Sequence, residues 1–285
     1  MTHVGMVYSR IRNDEKMLIE AAQRKNIRLT PVFDDELVLD VHANRLPYDV
    51  VLERSISFYR GLYVLKFCSV QDVPSVNTYD VATRCGDKAE TSLLLARAGV
   101  PTPAVRVAFT PESAKRAIAE LGYPAVVKPT MGSWGRLLAK VDNEDLADTV
   151  LEHREALPNP LQQVYYVQQY VNKNGGADGH RDIRAFVVGD ETIAAISRTS
   201  PHWITNTARG GKAAKYDVTD ELNELCLRAA QAVGGGVLAL DVMETGDGFT
   251  VNEINHTMEF KNSVAPTGVD IPGRILDYCV EQARR

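Results

Sequence analysis

Two hydrophobic periods alternate along this chain. "HVGMVYS" (3–9) is an apolar run of strand length, and "NDEKMLIEAAQRKN" (13–26) follows with a helical pattern, Asn13 or Asp14 standing as its N-cap. "IRLTPVF" (27–33) and "YDVVLER" (48–54) read as further strands. The helical "SFYRGLYVLKFCSV" (57–70) comes next, and a short strand, "PSVN" (74–77), after it. Strands that alternate with helices imply a parallel sheet, so residues 1–85 are expected to form a small α/β domain.

A second unit is expected over 86–165. It opens with the helix "GDKAETSLLLARAG" (86–99), closed by Gly99 and the proline-containing "VPTP". Strand "AVRVAF", helix "PESAKRAIAELG" and strand "PAVVKP" follow. A glycine-containing loop, "TMGSWGR" (130–136), then leads to strand "LLAKV" and helix "NEDLADTVLEHREAL". The remainder, 166–285, is richer in hairpins. "RDIRAFVVGDETIAAISR" (181–198) turns at Gly189–Asp190, and "LALDVMETGDGFTVNEIN" (238–255) is another hairpin. "VYYVQQYV" (164–171) is a strand, and helices cover 219–233 and 272–285. The expected fold class is α/β plus α+β, in three units, the last two weighted toward antiparallel sheet.

Composition changes this picture little. Of 285 residues, 45% are hydrophobic and 24% charged, and the net charge is −5, so nothing global points to nucleic acid or an anionic membrane. Cys68, Cys85, Cys226 and Cys279 lie far apart with no CxxC or Cys/His spacing, which favours buried thiols over disulfides or structural zinc. The N-terminus lacks a secretory pattern, and no apolar run reaches membrane-spanning length, so a cytoplasmic location is expected.

The second hairpin carries chemistry. Asp241 ends one apolar run, and Glu253 and Asn255, two apart on the returning strand, point to one face. Such hard oxygen donors suit Mg²⁺ shared with substrate phosphates. Spacing alone is equally compatible with carboxylates facing solvent on a hairpin edge. Lys128 ends the apolar strand "PAVVK", and Lys88 opens a helix, where a cation meets the positive dipole end. A phosphate ligand would resolve both conflicts; exposed or snorkelling lysines would too. Gly132–Leu138, "GSWGRLL", could bring backbone N–H groups close to phosphate oxygens or be a plain hairpin turn. It is no Walker A loop, because no Gly-Lys-Ser/Thr follows. "GGG" (234–236) reads as a helix end and turn. "HWITNTARGGK" (202–212) is a long polar loop. Arg198, Arg209 and Lys212 would give it a positive face, whether it binds an anion or is merely solvated.

The ordered set of Lys88, "VVKP", the glycine loop, "VQQYV", "RDIR", "ARGG" and Asp241 with "NEIN" resembles the ATP-grasp carboxylate–amine ligases over nearly the whole chain. "RIRNDEKML" (10–18), "GSWGRLLAKV" (132–141), residues 202–211 and "NHTMEFKNSVAPTGVDIPG" (255–273) resemble the RimK-related LysX family of α-aminoadipate–LysW ligases. The resemblance implies two α+β units clamping ATP and Mg²⁺ beside a small N-terminal domain. It also implies phosphorylation of the C-terminal glutamate γ-carboxylate of the carrier protein LysW, followed by attack of the α-amino group of α-aminoadipate. A dimer or tetramer is usual in such a family.

Site roles follow from the same resemblance. Lys88 and Lys128 would contact ATP phosphates beneath the loop of Gly132, Ser133, Trp134, Gly135, Arg136, Leu137 and Leu138. Backbone groups of Gln169 and Tyr170 would read adenine, and Asp182 would lie near the ribose. Arg184 would sit near the reacting carboxylate, with Arg198 and Arg209 on phosphate or acyl-phosphate charge. Asn206 would sit on the nucleotide and amino-acid side, and Asn206 with Thr207 would select α-aminoadipate over glutamate. Asp241, Glu253 and Asn255 would hold Mg²⁺. Gln169 departs from the family's usual glutamate at the hinge. Arg10, Arg12, Arg54 and Arg60 are the candidate docking charges for the carrier, with pairing to nearby carboxylates as the alternative. The rival functions are a glutamate–LysW ligase, a RimK-like ligase acting on a protein tail, and a nucleotide-binding regulator without turnover.

Overall fold

The computed structural model describes all residues except 43–44, 133–134, 174–178, 208–209 and 247. The N-terminal unit runs β1 (His3–Tyr8), α1 (Asn13–Arg24), β2 (Arg28–Phe33), β3 (Val50–Arg54), α2 (Phe58–Val70), β4 (Ser75–Val76) and α3 (Tyr79–Gly86). Its sheet is parallel in the order β2-β1-β3-β4. Each strand-to-helix turn therefore opens at the same edge of the sheet. The N-cap of α1 is Arg12 rather than Asn13 or Asp14. Asp14 is instead drawn inward, where it accepts the N–H groups of Phe260 (2.6 Å) and Lys261 (3.0 Å).

The central unit follows with α4 (Lys88–Arg97), β5 (Val105–Ala108), α5 (Pro111–Leu121), β6 (Ala125–Pro129), β7 (Ala139–Val141), α6 (Glu144–Glu155) and β8 (Tyr165–Gln169). Its antiparallel sheet, β5-β8-β6-β7, has a core of its own around Ile118, Val127, Leu151 and Val167. All of β8 belongs to this sheet, so the strand crosses the division expected at 165/166.

The last unit comprises β9 (His180–Val188), β10 (Glu191–Ser200), β11 (Lys212–Tyr216), α7 (Asp220–Val233), β12 (Val237–Thr245), β13 (Gly248–Asn255), α8 (Val264–Thr267) and α9 (Ile271–Gln282). Its sheet is antiparallel, in the order β11-β10-β9-β12-β13. Gly189, at φ 61°, makes the expected β9–β10 turn. The glycine triplet ends α7, and a Cβ at Gly236 would lie 2.1 Å from the Asn77 side-chain oxygen. That space is needed because Asn77 ties the N-terminal unit to β12 and β13, bonding Val237 N (2.7 Å), Val237 O (2.7 Å) and His256 O (2.6 Å).

The two faces of β9 explain where a site can form. Ile183, Ala185 and Val187 face one core, shared with α7 and with Leu95 of α4. Phe186 and Val188 face a second core, shared with β1, β3, α1 and α9. On that same face Asp182 and Arg184 occupy the opposite end of the strand, where polar residues replace the core. No helix among the described residues is long and apolar enough to cross a membrane.

Candidate functional site

A cavity of about 440 Å³ opens where the three units meet. The central sheet supplies Lys128 and Gln169, the helix N-terminus of α4 supplies Lys88, and the C-terminal sheet supplies Asp182, Arg184, Arg198, Asp241, Glu253 and Asn255. Tyr170, Asn206 and Thr207 line it too, as do Gly132, Gly135, Arg136 and Leu138 of the glycine loop. Leu137 points away, 59% exposed at φ 57°. Ser133, Trp134 and Arg209 fall outside the described residues.

Strand pairing places the charged side chains. Asp241 of β12 lies opposite Arg184 of β9 on one side and Glu253 of β13 on the other. The register shifts immediately after this row, so that Val242 faces Val251 and Asn252 is the extra residue. Arg184 grips Asp241 through two bonds, Nε to Oδ1 at 2.8 Å and Nη2 to Oδ2 at 3.0 Å. Arg198, 1% exposed, binds Asp182 in the same forked way (2.7 and 2.9 Å) and reaches Asp241 at 3.1 Å. Lys173 (2.9 Å) and the Thr205 hydroxyl complete the shell of Asp182.

Burial works to raise both aspartates, and the arginines win. Arg198 and Lys173 hold Asp182 below the usual carboxylate range, and Arg184 and Arg198 do the same for Asp241. Asp182 is thus engaged by three side chains through four hydrogen bonds. Its carboxylate anchors Arg198 and Lys173 and is not presented to a ribose, contrary to expectation. Arg198 likewise spends its fork on the two aspartates, so it acts through them.

The lysines are differently placed. Lys88 donates to Gly132 O at 2.7 Å, and the helix dipole conflict is met by Asp87, whose side chain caps α4 through Ala89 N and Glu90 N. Lys128 is 3% exposed and lies 5.1 Å over the Tyr166 ring. Burial lowers its pKa to about 7, opposed by Glu253 and assisted by Lys88 and Lys173. An ammonium so placed gains from an anionic ligand. His256, behind Asn255, is lowered to about 4 by burial and by Arg54, and is neutral at physiological pH.

The donor set fits Mg²⁺. Glu253 makes no hydrogen bond or ion pair with a described residue, and Asn255 Nδ2 is buried without a partner. A half-turn of that amide would present its carbonyl oxygen at the same spot. Asp241 already accepts three N–H groups, which leaves about one of its four lone pairs for a metal. Among the described residues no three His, Cys, Asp or Glu side chains form a metal-ligand group, as follows from a set with only two carboxylates.

Two expectations are corrected. Gln169 N–H donates to Ala104 O at 2.9 Å, so only its carbonyl remains for adenine. The candidate docking arginines are mostly structural. Arg54, 3% exposed, binds Glu15 (2.9 Å) and Met258 O (2.8 Å), Arg12 binds Glu15 and Glu259, and Arg60 binds Asp34 and Asp35. Arg10 alone of the four is exposed without such an ion pair to a described residue.

The sequence reading also missed Gln168, Lys173, Met243 and Asn252, all of which line the cavity. Met243 was legible, because it stands two residues beyond Asp241 on the same strand face. Gln168 binds Asn252 at 3.2 Å, a pairing between two sheets that no local pattern announces.

Comparison with known proteins gives concordant results. The RimK-like ATP-grasp domain family matches residues 85–279, and the LysX preATP-grasp domain family matches residues 4–84. The α-aminoadipate–LysW ligase LysX of Saccharolobus solfataricus is 34% identical over 96% of this chain and 99% of its own length. The glutamate–LysW ligase ArgX of Sulfolobus acidocaldarius is 32% identical over 96% and 97%. Among solved structures, a RimK domain ATP-grasp protein from Sphaerobacter thermophilus superposes with a TM-score of 0.81 at 28% identity, covering 98% of this chain and 99% of that one.

Proposed function

The chain belongs to the RimK-like ATP-grasp family, and from that premise we propose that it joins the α-amino group of α-aminoadipate to the C-terminal glutamate γ-carboxylate of the carrier protein LysW. It is an ATP-dependent ligase that forms an amide bond. The observation that carries the reading is the meeting, in one cavity, of two lysines from the central unit's side with the oxygen set Asp241, Glu253 and Asn255. Cations opposite metal-type oxygens suit a polyphosphate, and phosphoryl transfer needs positioning and charge more than a protein nucleophile.

In this reading the γ-phosphoryl group passes from ATP to the carrier carboxylate, and the amine then displaces phosphate from the acyl phosphate. Lys128 and Lys88 hold the phosphates, with residues 132–138 over them. Asp241, Glu253 and Asn255 would hold Mg²⁺, which supplies charge neutralisation across the phosphate oxygens. Arg184 and Arg198 orient Asp241. The Gln169 carbonyl and the Tyr170 backbone read adenine, with Met243 beside them. Arg209 remains assigned to acyl-phosphate charge, and Asn206 with Thr207 to the distal carboxylate of α-aminoadipate.

A second reading, glutamate as acceptor, draws on the ArgX relatives, whose identity to this chain is similar. ADP release with each amino acid, with and without purified LysW, separates the two. ADP formed only with α-aminoadipate and LysW together is the expected result. No release under any combination would overturn the assignment.

A further inference from the structure

Resting on that reading, we propose that the outer face of α2 is a docking track for the segment of the carrier that precedes its terminal glutamate. The inner face of this helix is core, with Val64 and Cys68 packed against Val7, Val51 and Val73. An outer face is ordinarily polar. Here Tyr59, Tyr63 and Val70 are 56%, 63% and 78% exposed, and their helical spacing puts them on one stripe. Lys66 stands between them, exposed and without an ion pair to a described residue. Single apolar residues on a surface are ordinary, whereas a continuous run marks a place where another molecule rests.

The position of the stripe identifies that molecule. Ile56 and Tyr59 line the cavity, so the stripe begins inside its mouth and leads away along the N-terminal unit. Met131 of the central unit meets Tyr59 at that mouth, its sulfur 3.8 Å from the tyrosine oxygen. A nucleotide and a free amino acid end within the cavity. The remaining substrate of this reading is the end of a protein chain, whose preceding residues must leave by the mouth. From Tyr59 to Val70 the helix rises about 16 Å, a length that about five residues of extended chain span. The neighbouring arginines take no part, because Arg54 is bound to Glu15 and Arg60 to Asp34 and Asp35. The face therefore suits a mainly apolar segment with a carboxylate to meet Lys66, and tyrosines are the residues that such contacts favour.

The test is the double variant Tyr63→Gln/Val70→Gln of the full chain. Neither residue lines the cavity, and glutamine is a good helix former, so the fold is kept. The KM for LysW should rise about tenfold, as on truncation of an anchoring aromatic residue. The KM values for ATP and α-aminoadipate, and kcat, should stay within about twofold of the unmodified protein. A KM for LysW that also stays within about twofold, or an equal rise in all three KM values, would overturn the track with the ligase reading intact. Sedimentation of both forms tests the other occupant. A smaller assembly in the variant would assign the face to a second copy of this chain and overturn the proposal. Should the unmodified protein show no turnover at all, the ligase reading fails by itself, and calorimetric titration with LysW decides the docking. Binding that the variant weakens about tenfold supports the track, and equal or absent binding refutes it.

Discussion

Arg184 and Asp241 face each other across β9 and β12 and share two hydrogen bonds of 2.8 and 3.0 Å, so the aspartate expected to hold metal is also a structural anion. Glu253, directly opposite Asp241 on β13, has no such duty. Loss of the charge should therefore disturb the fold at Asp241 and leave it intact at Glu253.

The two carboxylates should separate in mutation. Asp241→Asn leaves buried Arg198 and half-buried Arg184 short of charge, which costs about 3–5 kcal/mol, or about 10 °C in Tm for a chain of this size. Glu253→Gln should melt within about 2 °C of the unmodified protein yet lose about a hundredfold or more in kcat/KM. Thermal melting and ADP release on the same samples check both. Equal melting of the two variants would contradict the geometry.

Lys128→Met should weaken ATP binding by about 1.5–3 kcal/mol, the value of a charge-assisted hydrogen bond. Because burial holds the lysine near 7, phosphate binding should raise it again, so ATP binding takes up protons at pH 7–8. Calorimetry in buffers of different ionisation enthalpy measures that uptake, which Lys128→Met should remove.

Glu15 sets an acid-sensitive joint between α1 and β3. Burial opposes its ionisation, but Arg12 and Arg54 hold it at about 2, against an ordinary value of 4.5. A depressed carboxylate contributes stability that is complete above about pH 4.5 and is lost as pH falls toward 2. That difference corresponds to about 3 kcal/mol. Urea unfolding should show the stability gap between unmodified protein and Glu15→Gln shrinking below pH 4.5. A gap independent of pH between 7 and 3 would refute the linkage.

Replacing Asn206 and Thr207 together should erode the preference for α-aminoadipate over glutamate in kcat/KM. One methylene in an apolar pocket is worth only about 1–3 kcal/mol, so polar contacts to the distal carboxylate must supply much of the selectivity. Unchanged selectivity in the double variant would limit the pair to shaping the loop. Gly211 N–H already bonds Asn206 O there at 3.3 Å.

Periodicity in the sequence determined the strand and helix alternation and the two hairpins, because those depend on contacts between residues near in sequence, and the alternation in turn implied a parallel N-terminal sheet. The same local logic put Asp241 opposite Glu253 and left Lys128 buried at a strand end. What surrounds them was decided by tertiary structure alone. Arg198 faces Asp182 across the β9–β10 hairpin and so lay within that local logic, but nothing near Asp182 announces Lys173, and nothing near Arg54 announces Glu15. Charge runs look alike whether they face solvent or a buried carboxylate, and two of the four arginines expected to dock a carrier, Arg12 and Arg54, knit the N-terminal unit to residues 258–259. The bulge at Asn252 and the crossing of β8 into the central sheet follow from which strands become neighbours. That choice is settled by packing three cores at once, over sequence separations that a local pattern does not span.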